Sequence, residues 1–407
     1  MSADPGAPAS PADPTRGPAA AAGAGAALGR LALRFTGSDF VAPAVAEEIR
    51  PLSTDLDGCT GSLTFRFGTV TQPGPGSVLI DEFFVGPEVV GWTDRYLPCS
   101  LRRHPDGAFE VDVASSPGPW KLRLAGPVVR LLDRSYNDAA HRLAKRFFYT
   151  IFDQAVQIAQ LPLGQTWLHC SAVTGREQGN PRTVLFSAWG GVGKTSIVLR
   201  LLEDGNWRYL ADDLAVFDDA GTVHRTPKKM QLYPYNLVGA APLRRRLLDG
   251  REPADLLHWG ARRAILGDRA VRRRVHVEEM FGNGTAATAA PVTDAVHLRR
   301  TTDRVMRVDP VSPHEFAALG AAVLPIELHP LDRWLGAIHA ARPDAPWPRA
   351  EDAATRAAAI TRQGLLATGA RCCIVSIPAR ATPDELLAFL KERVLDDPPT
   401  SGRAESR

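Results

Sequence analysis

Hydrophobic positions along this chain follow two periods, and the change from one to the other divides it. Between residues 29 and 132 apolar and polar positions alternate in short runs. The clearest are Leu63-Thr-Phe-Arg-Phe67 and Phe109-Glu-Val-Asp-Val113, the pattern of half-buried strands. Candidate strands fall at 30–35, 62–67, 77–84, 109–114, 120–124 and 128–132. The turns between them include Gln72-Pro-Gly-Pro-Gly76, Pro105-Asp-Gly107 and Ser116-Pro-Gly-Pro119. A small antiparallel accessory region, or an extension of a main sheet, is expected here. Its acids Asp81, Glu82, Asp94 and Asp112 suit solvated strand faces and turns. From 137 to 160 the apolar positions recur at three and four residues (Ala140, Leu143, Ala144, Phe147, Phe148, Ile151, Phe152, Ala155, Ile158). This predicts an amphipathic helix that ends before Pro162.

Beyond that helix the elements mix. A strand is predicted over 167–173, a turn over 175–181, and a second apolar strand from Thr183, so that the two form a hairpin. An apolar helical series follows (Ile197, Val198, Leu199, Leu201, Leu202), with Gly205 as a C-cap. The run 207–217 is a strand that ends in paired acids and then resumes as a second apolar run. Further strands are predicted at 272–277, 295–299, 304–308 and 371–377. Ser312-Pro-His-Glu315 and Thr382-Pro-Asp-Glu385 are capping boxes that open helices. Another helix is predicted over 332–341. The fold class is therefore α/β in the broad sense (α+β), with a mixed sheet preceded by a β-rich region.

Composition narrows the picture. A chain of 407 residues with 44% hydrophobic content can bury a sizeable core and hold two domains or three. A net charge of +3 does not suggest a nucleic-acid partner. The five cysteines are irregularly spaced, with no CxxC pair. Adjacent Cys372 and Cys373 lie in an apolar run and are read as small hydrophobes, so a reducing cytoplasm is the expected compartment. Residues 1–28 are nearly all Ala, Pro, Gly, Ser and Asp, without the pattern of a secretory signal. They are expected to be a disordered tail, as are residues 396–407. No apolar stretch reaches 18 residues, so no membrane span is expected. The expected division is tail, β-rich region 29–135, catalytic unit 136–395, tail.

The candidate chemistry begins at Ala188-Trp-Gly-Gly-Val-Gly-Lys-Thr-Ser196. It lies between an apolar strand and an apolar helical series, the context a phosphate-binding P-loop needs. Glycines at 190, 191 and 193 let backbone N–H groups turn toward an anion, and a helix starting near Lys194 adds its positive end. Ala188, Trp189, Gly190, Gly191, Val192, Gly193, Lys194, Thr195 and Ser196 are thus the candidate nucleotide-binding residues. Lys194 would reach the β- and γ-phosphates of ATP, and the Thr195 hydroxyl would ligate Mg²⁺. Ala188 stands where the usual pattern has Gly. The second signal is Asp212-Asp213, 18 and 19 residues after the lysine, at a strand end. One carboxylate there can serve a metal and the other can accept a proton.

Leu168-His-Cys-Ser-Ala-Val173, the glycine loop, and Leu210-Ala-Asp-Asp-Leu214 together resemble the catalytic domain of HPr kinase/phosphorylase and the HPr-kinase-like serine kinases. The resemblance implies a PEP-carboxykinase-like P-loop fold with a mixed sheet. It gives His169 a supporting role at the phosphoryl site, Asp213 the role of proton acceptor, and Asp212 with Thr195 the metal. That family carries a Glu in an Arg-Gly-x-Gly element; here the corresponding region, Thr226-Pro-Lys-Lys-Met-Gln-Leu-Tyr-Pro-Tyr-Asn236, has none. HPr is therefore not the expected acceptor. Relatives of this kind include free-serine kinases and kinases that modify ribosomally made peptides.

Lys228, Lys229 and Tyr233 are candidates to line the acceptor or nucleotide pocket. An arginine is expected to offset charge on the transferring phosphoryl, in cis or from a neighbouring subunit of a homo-oligomer. Arg273 is the choice, because its strand would emerge near the site. The expected function is an ATP- and Mg²⁺-dependent kinase acting on a hydroxyl of a peptide or small molecule. The alternative is a nucleotide-hydrolysing switch without a phosphorylated substrate; no Asn-Lys-x-Asp guanine signature supports its GTPase form. A PEP-carboxykinase-type lyase would need a further metal-binding set.

Overall fold

Leu63, Phe65 and Phe67 point inward while their neighbours stay half-exposed, and this alternation builds the first layer of the molecule. The structure, a computed structural model, describes residues 24–115, 139–177, 179–269 and 271–395. In it β1 (Ala24–Leu28), β2 (Leu31–Gly37), β3 (Gly61–Phe67), β4 (Val78–Ile80), β5 (Phe83–Val85), β6 (Val89–Trp92), β7 (Cys99–Arg103) and β8 (Phe109–Val113) form one sheet, ordered β1-β2-β3-β8-β7-β6-β5-β4. It is antiparallel except where β3 lies parallel to both β2 and β8. A helix, α1 (Ala42–Ile49), connects β2 to β3 and makes that parallel pairing possible.

Several expectations change here. Residues 24–28 are strand rather than tail, because they pair with β2 from Ala24↔Phe35 to Leu28↔Leu31. The strand expected over 77–84 is broken at Asp81, whose φ of 50° turns the chain. Asp112 is buried rather than solvated, accepting from Arg66 Nε and Thr71 Oγ1, each at 2.6 Å. The expected strands at 120–124 and 128–132, and the expected tails outside 24–395, lie outside the described residues.

The predicted amphipathic helix is interrupted. It runs as α2 (Ala139–Phe147), a π turn (Phe148–Phe152) and α3 (Asp153–Gln160). It lies on the first sheet: the Phe65 ring centroid is 5.3 Å from both Phe35 and Phe147 and 5.5 Å from Phe152. One continuous set of buried residues joins the first sheet, this helix and residues 324–360, so a single core runs across residue 135.

The second layer is two sheets crossed by the same two segments. β9 (Gln165–Leu168), β10 (Cys170–Glu177), β11 (Asn180–Ala188), α4 (Lys194–Glu203), β12 (Trp207–Ala211), β13 (Ala215–Asp218) and β14 (Thr222–His224) follow in order. Next come β15 (Met230–Leu232), α5 (Ala241–Leu248), α6 (Pro253–Leu266), β16 (Arg273–Val275), α7 (Val277–Phe281), β17 (Ala289–Pro291), β18 (Asp294–Thr301), β19 (Arg307–Pro310), α8 (Pro313–Glu327), α9 (His329–Ala341), α10 (Ala350–Thr368), β20 (Arg371–Pro378) and α11 (Pro383–Leu390). The sheets are β12-β10-β11-β18-β20-β19, which is mixed, and β17-β14-β13-β9, which is antiparallel; β15 and β16 form a separate ribbon. The expected hairpin is β10–β11, paired from Cys170↔Ser187 to Glu177↔Asn180. Both capping boxes form, with Ser312 and Thr382 accepting from Glu315 and Glu385 backbone N–H groups. Among the described residues no helix is long and apolar enough to cross a membrane.

Two stability predictions follow from this packing. Phe65→Ala removes a fully buried ring that stacks on Phe35 and Phe152 and meets Phe147 edge-on, and is expected to cost about 3–5 kcal/mol, read as a lower urea midpoint; an unchanged midpoint would contradict the packing. His276 and His297 are buried, and that burial pulls both rings down from 6.5 to about 4. The unfolded chain therefore takes up these protons first as pH falls. The stability contributed by the neutral rings is whole above about 6.5 and is lost as the pH drops toward 4. The fall in urea midpoint between neutral and mildly acidic buffer should be smaller in His276→Asn/His297→Asn than in wild type; an equal fall would show that these rings do not carry it.

Candidate active site

The strand expected over 167–173 is broken at one residue, and that break makes the site. Leu168 pairs with Ala215 in the four-stranded sheet, while Ala172 pairs with Ala211 in the six-stranded sheet. His169 lies where the chain passes from one sheet to the other. Asp212, Asp213 and Leu214 make the return crossing, between β12 and β13, directly alongside. Asp213 has φ +76°, a left-handed conformation that costs a non-glycine residue roughly 1 kcal/mol or more. The bend turns Asp212 and Asp213 in different directions.

Between β11 and α4 runs the glycine loop. Gly191 and Gly193 have φ of +78° and +128°, values L-residues rarely adopt. A Cβ added at Gly190 or Gly191 would meet no atom within 4 Å, so the loop leaves an open cradle. Gly193 is the N-cap of α4 and supplies no side-chain cap; the first N–H groups of that helix carry its positive end.

A cavity of about 170 Å³ lies over this loop, lined by His169, Gly190, Gly191, Lys194, Thr195, Asp212, Asp213 and, on its far wall, Gln231, Tyr233, Tyr235 and Asn236. The Lys194 ammonium donates to the Ala188 and Trp189 carbonyls at 2.8 and 3.4 Å and to His169 Nε2 at 2.7 Å. Burial lowers the Lys194 pKa, and burial with the lysine charge pulls His169 down to about 4. A neutral His169 that accepts at Nε2 carries its proton on Nδ1, which faces Glu327 Oε1 at 3.4 Å.

Thr195 Oγ1 and Ser171 Oγ both donate to Asp212 Oδ1, at 2.9 and 2.5 Å. Burial raises the Asp212 pKa despite these two donors. Asp213 faces the other way. The Tyr149 hydroxyl donates to its Oδ2 at 3.4 Å, and Lys228 Nζ lies 4.0 Å from the same oxygen. Tyr149 is on the π turn, and Gln231 Nε2 donates to its hydroxyl. Burial and the nearby Asp213 charge raise the Tyr149 pKa far above its ordinary value, so this phenol stays a donor. Lys228 is itself buried and paired with Asp153 at 2.7 Å.

Two groups of atoms can hold a cation. The Thr195 hydroxyl and the Asp212 carboxylate are adjacent oxygen donors, the type that suits a hard ion such as Mg²⁺. Ligand atoms of His169, Asp213 and Glu327 lie within 4.8 Å of one another, a nitrogen and two carboxylate oxygens.

The nominated residues do not all gather. His169, Gly190, Gly191, Lys194, Thr195, Asp212, Asp213 and Tyr233 line one cavity. Ala188, Val192 and Ser196 are buried in the protein, with Ser196 Oγ accepting from Asn236 Nδ2 at 3.0 Å, and the Trp189 indole is exposed. Lys229 turns away to Glu47 at 2.6 Å.

Arg273 is a correction. It pairs with Leu232, opposite the face that Gln231 shares with Arg274. Its guanidinium is bound to Asp255 at 2.8 Å and lies 4.7 Å from the Trp259 ring. The alternation of the ribbon, not its distance, takes Arg273 out of the site. Tyr149, Ser171, Gln231, Tyr235, Asn236 and Glu327 escaped sequence reading. Ser171 alone had a signal, its place two residues after His169; Glu327 is brought in by tertiary packing at the end of α8.

No family model and no curated protein matches the chain. Among solved structures, the HPr(Ser) kinase/phosphatase from Coxiella burnetii is similar over 57% of this chain and 97% of that chain, at 9% identity and a TM-score of 0.26.

Proposed function

We propose that the chain is a kinase that uses Mg²⁺-ATP and transfers the γ-phosphoryl to a hydroxyl. The observation that carries this reading is the convergence, in one cavity, of an open glycine cradle, a buried ammonium, an adjacent hydroxyl–carboxylate pair and a second carboxylate held apart from that pair. Phosphoryl transfer needs little covalent chemistry from the protein. It needs phosphates held in place, charge offset at the γ-oxygens and a base near the acceptor oxygen.

The cradle and the start of α4 would hold the phosphates, with Lys194 donating to their oxygens. Thr195 and Asp212 would hold Mg²⁺, which supplies positive charge along the phosphates when bound. Asp213 would accept the hydroxyl proton as the acceptor oxygen bonds to phosphorus and the bridge to ADP breaks. Tyr149 and Lys228, set against Oδ2, leave Oδ1 of Asp213 for the acceptor. His169 would orient Lys194 without adding charge, since its ring stays neutral well below pH 6. Tyr233 and Tyr235, stacked with centroids 5.1 Å apart, form the wall opposite the loop.

Asp213→Asn removes the base and keeps the shape. Transfer from labelled ATP to a hydroxyl acceptor is expected to fall by about 10²–10⁴-fold while ATP still binds; full transfer by this variant would overturn the assignment. Thr195→Ala should abolish the Mg²⁺-dependent part of nucleotide affinity, read by titration calorimetry with and without the ion. Retention of that dependence would remove Thr195 from the metal.

A further inference from the structure

Glu327 occupies the unfavourable end of its helix. It is the last residue of α8, where free carbonyls concentrate negative potential and a carboxylate is disfavoured. It is also partly buried, and burial and the Asp213 charge both raise its pKa. Close packing puts it there. Gly320 of α8 lies so near β9 that an added Cβ would meet Leu168 Cδ1 at 2.9 Å. Glu327 follows about two turns later on the same side of the helix, and His169 follows Leu168. Glu327 Oε1 thus comes to 3.4 Å from His169 Nδ1, a buried nitrogen with no hydrogen-bond partner among the described residues.

Across the ring stands the Lys194 ammonium. It has three N–H groups and no lone pair, so His169 Nε2 is the acceptor in their 2.7 Å contact. The other two N–H groups go to the Ala188 carbonyl at 2.8 Å and the Trp189 carbonyl at 3.4 Å. The proton of the neutral ring therefore sits on Nδ1, toward the carboxylate. Asp212 and Asp213 act on the lysine charge more strongly than Glu327 does. What Glu327 alone supplies is an acceptor for the ring proton.

We propose that Glu327 is a positioning residue: it accepts from His169 Nδ1 and so fixes the tautomer whose Nε2, with the Ala188 carbonyl, holds Lys194 toward the cradle. The N–H on the longer Trp189 contact is then the one given to a phosphate oxygen. Its consequence for transfer rests on the kinase reading above. The 3.4 Å contact is a few tenths of an ångström beyond a full hydrogen bond, and such contacts tighten once substrate engages the group they serve. His169, Asp213 and Glu327 could instead hold a cation. A metal on Nδ1 would move the proton to Nε2 and point an N–H at the ammonium 2.7 Å away.

The test reads the ring proton directly. The full chain carries isotope-labelled histidine, and proton–nitrogen correlation NMR is recorded near neutral pH, where His169 is uncharged. Its signal is assigned by its absence in His169→Gln. Wild type should show Nδ1–H. Glu327→Gln, whose amide oxygen also accepts, should keep that tautomer. Glu327→Leu, which fills the space and accepts nothing, should lose the preference, and its ATP affinity by calorimetry should fall about tenfold to a hundredfold. Its urea midpoint should not fall, because the disfavoured carboxylate is gone. Nε2–H in wild type, an unmoved proton in Glu327→Leu, or unchanged ATP affinity in that variant would overturn the proposal. Transfer of the proton to Nε2 on adding Mg²⁺ alone would make the three groups a cation site and would also overturn it. So would a Glu327→Gln chain that keeps the tautomer but loses ATP affinity or transfer as Glu327→Leu does, since the carboxylate would then act directly. Tautomer and ATP affinity are read without an acceptor. A chain that shows both effects but phosphorylates no hydroxyl therefore supports the positioning role and counts against the kinase reading alone.

Discussion

Two neighbouring segments of this chain leave one sheet for another at the same place, and the site depends on that shared crossing. Before the break the β9 segment pairs through Leu168↔Ala215; after it the β10 segment pairs through Ala172↔Ala211. At the crossing neither ladder claims the backbone. His169 and Asp212–Leu214 are thus free to take conformations a strand would forbid, and Asp213 takes one at φ +76°. The cost is borne by the apolar runs on either side, which are buried at every position but Arg208. A regular strand would have sent Asp212 and Asp213 to opposite faces of one sheet; the bend leaves both on the rim of one cavity.

Burial then sorts the charges. The Lys194 ammonium is enclosed, and its contacts are loop carbonyls and a neutral imidazole rather than a carboxylate. Asp212, held by two hydroxyls, has a raised pKa. In a low-dielectric cavity such groups respond strongly to an anion or cation brought among them. The two aspartates also differ in their partners, hydroxyls for Asp212 and a phenol with a lysine for Asp213. Adjacent residues of one type are thereby given separate chemical surroundings.

Local rules were legible at many points. The capping boxes at Ser312 and Thr382 form because each is a contact among residues three apart. The β10–β11 hairpin and the strand–loop–helix around Gly190–Thr195 are short-range too. What escaped were contacts across long separations. Glu327 reaches His169 from α8, and Tyr149 reaches Asp213 from a π turn that a strict helical period does not announce. Arg273 was misplaced because alternation along a three-residue strand decides the face, and the phase of so short a strand is set by its partner.

Pattern and spacing by themselves determined the mixed α/β character, the loop and the nearby acids, because strands, caps and glycine turns are decided by neighbours within a few residues. Only the tertiary structure decided that the strand holding His169 is two strands in two sheets. It also decided that the first sheet shares one core with the helix after it, and that α8 ends beside His169. Those outcomes depend on which surfaces meet. A hydrophobic period states that a face is to be buried, but not against what.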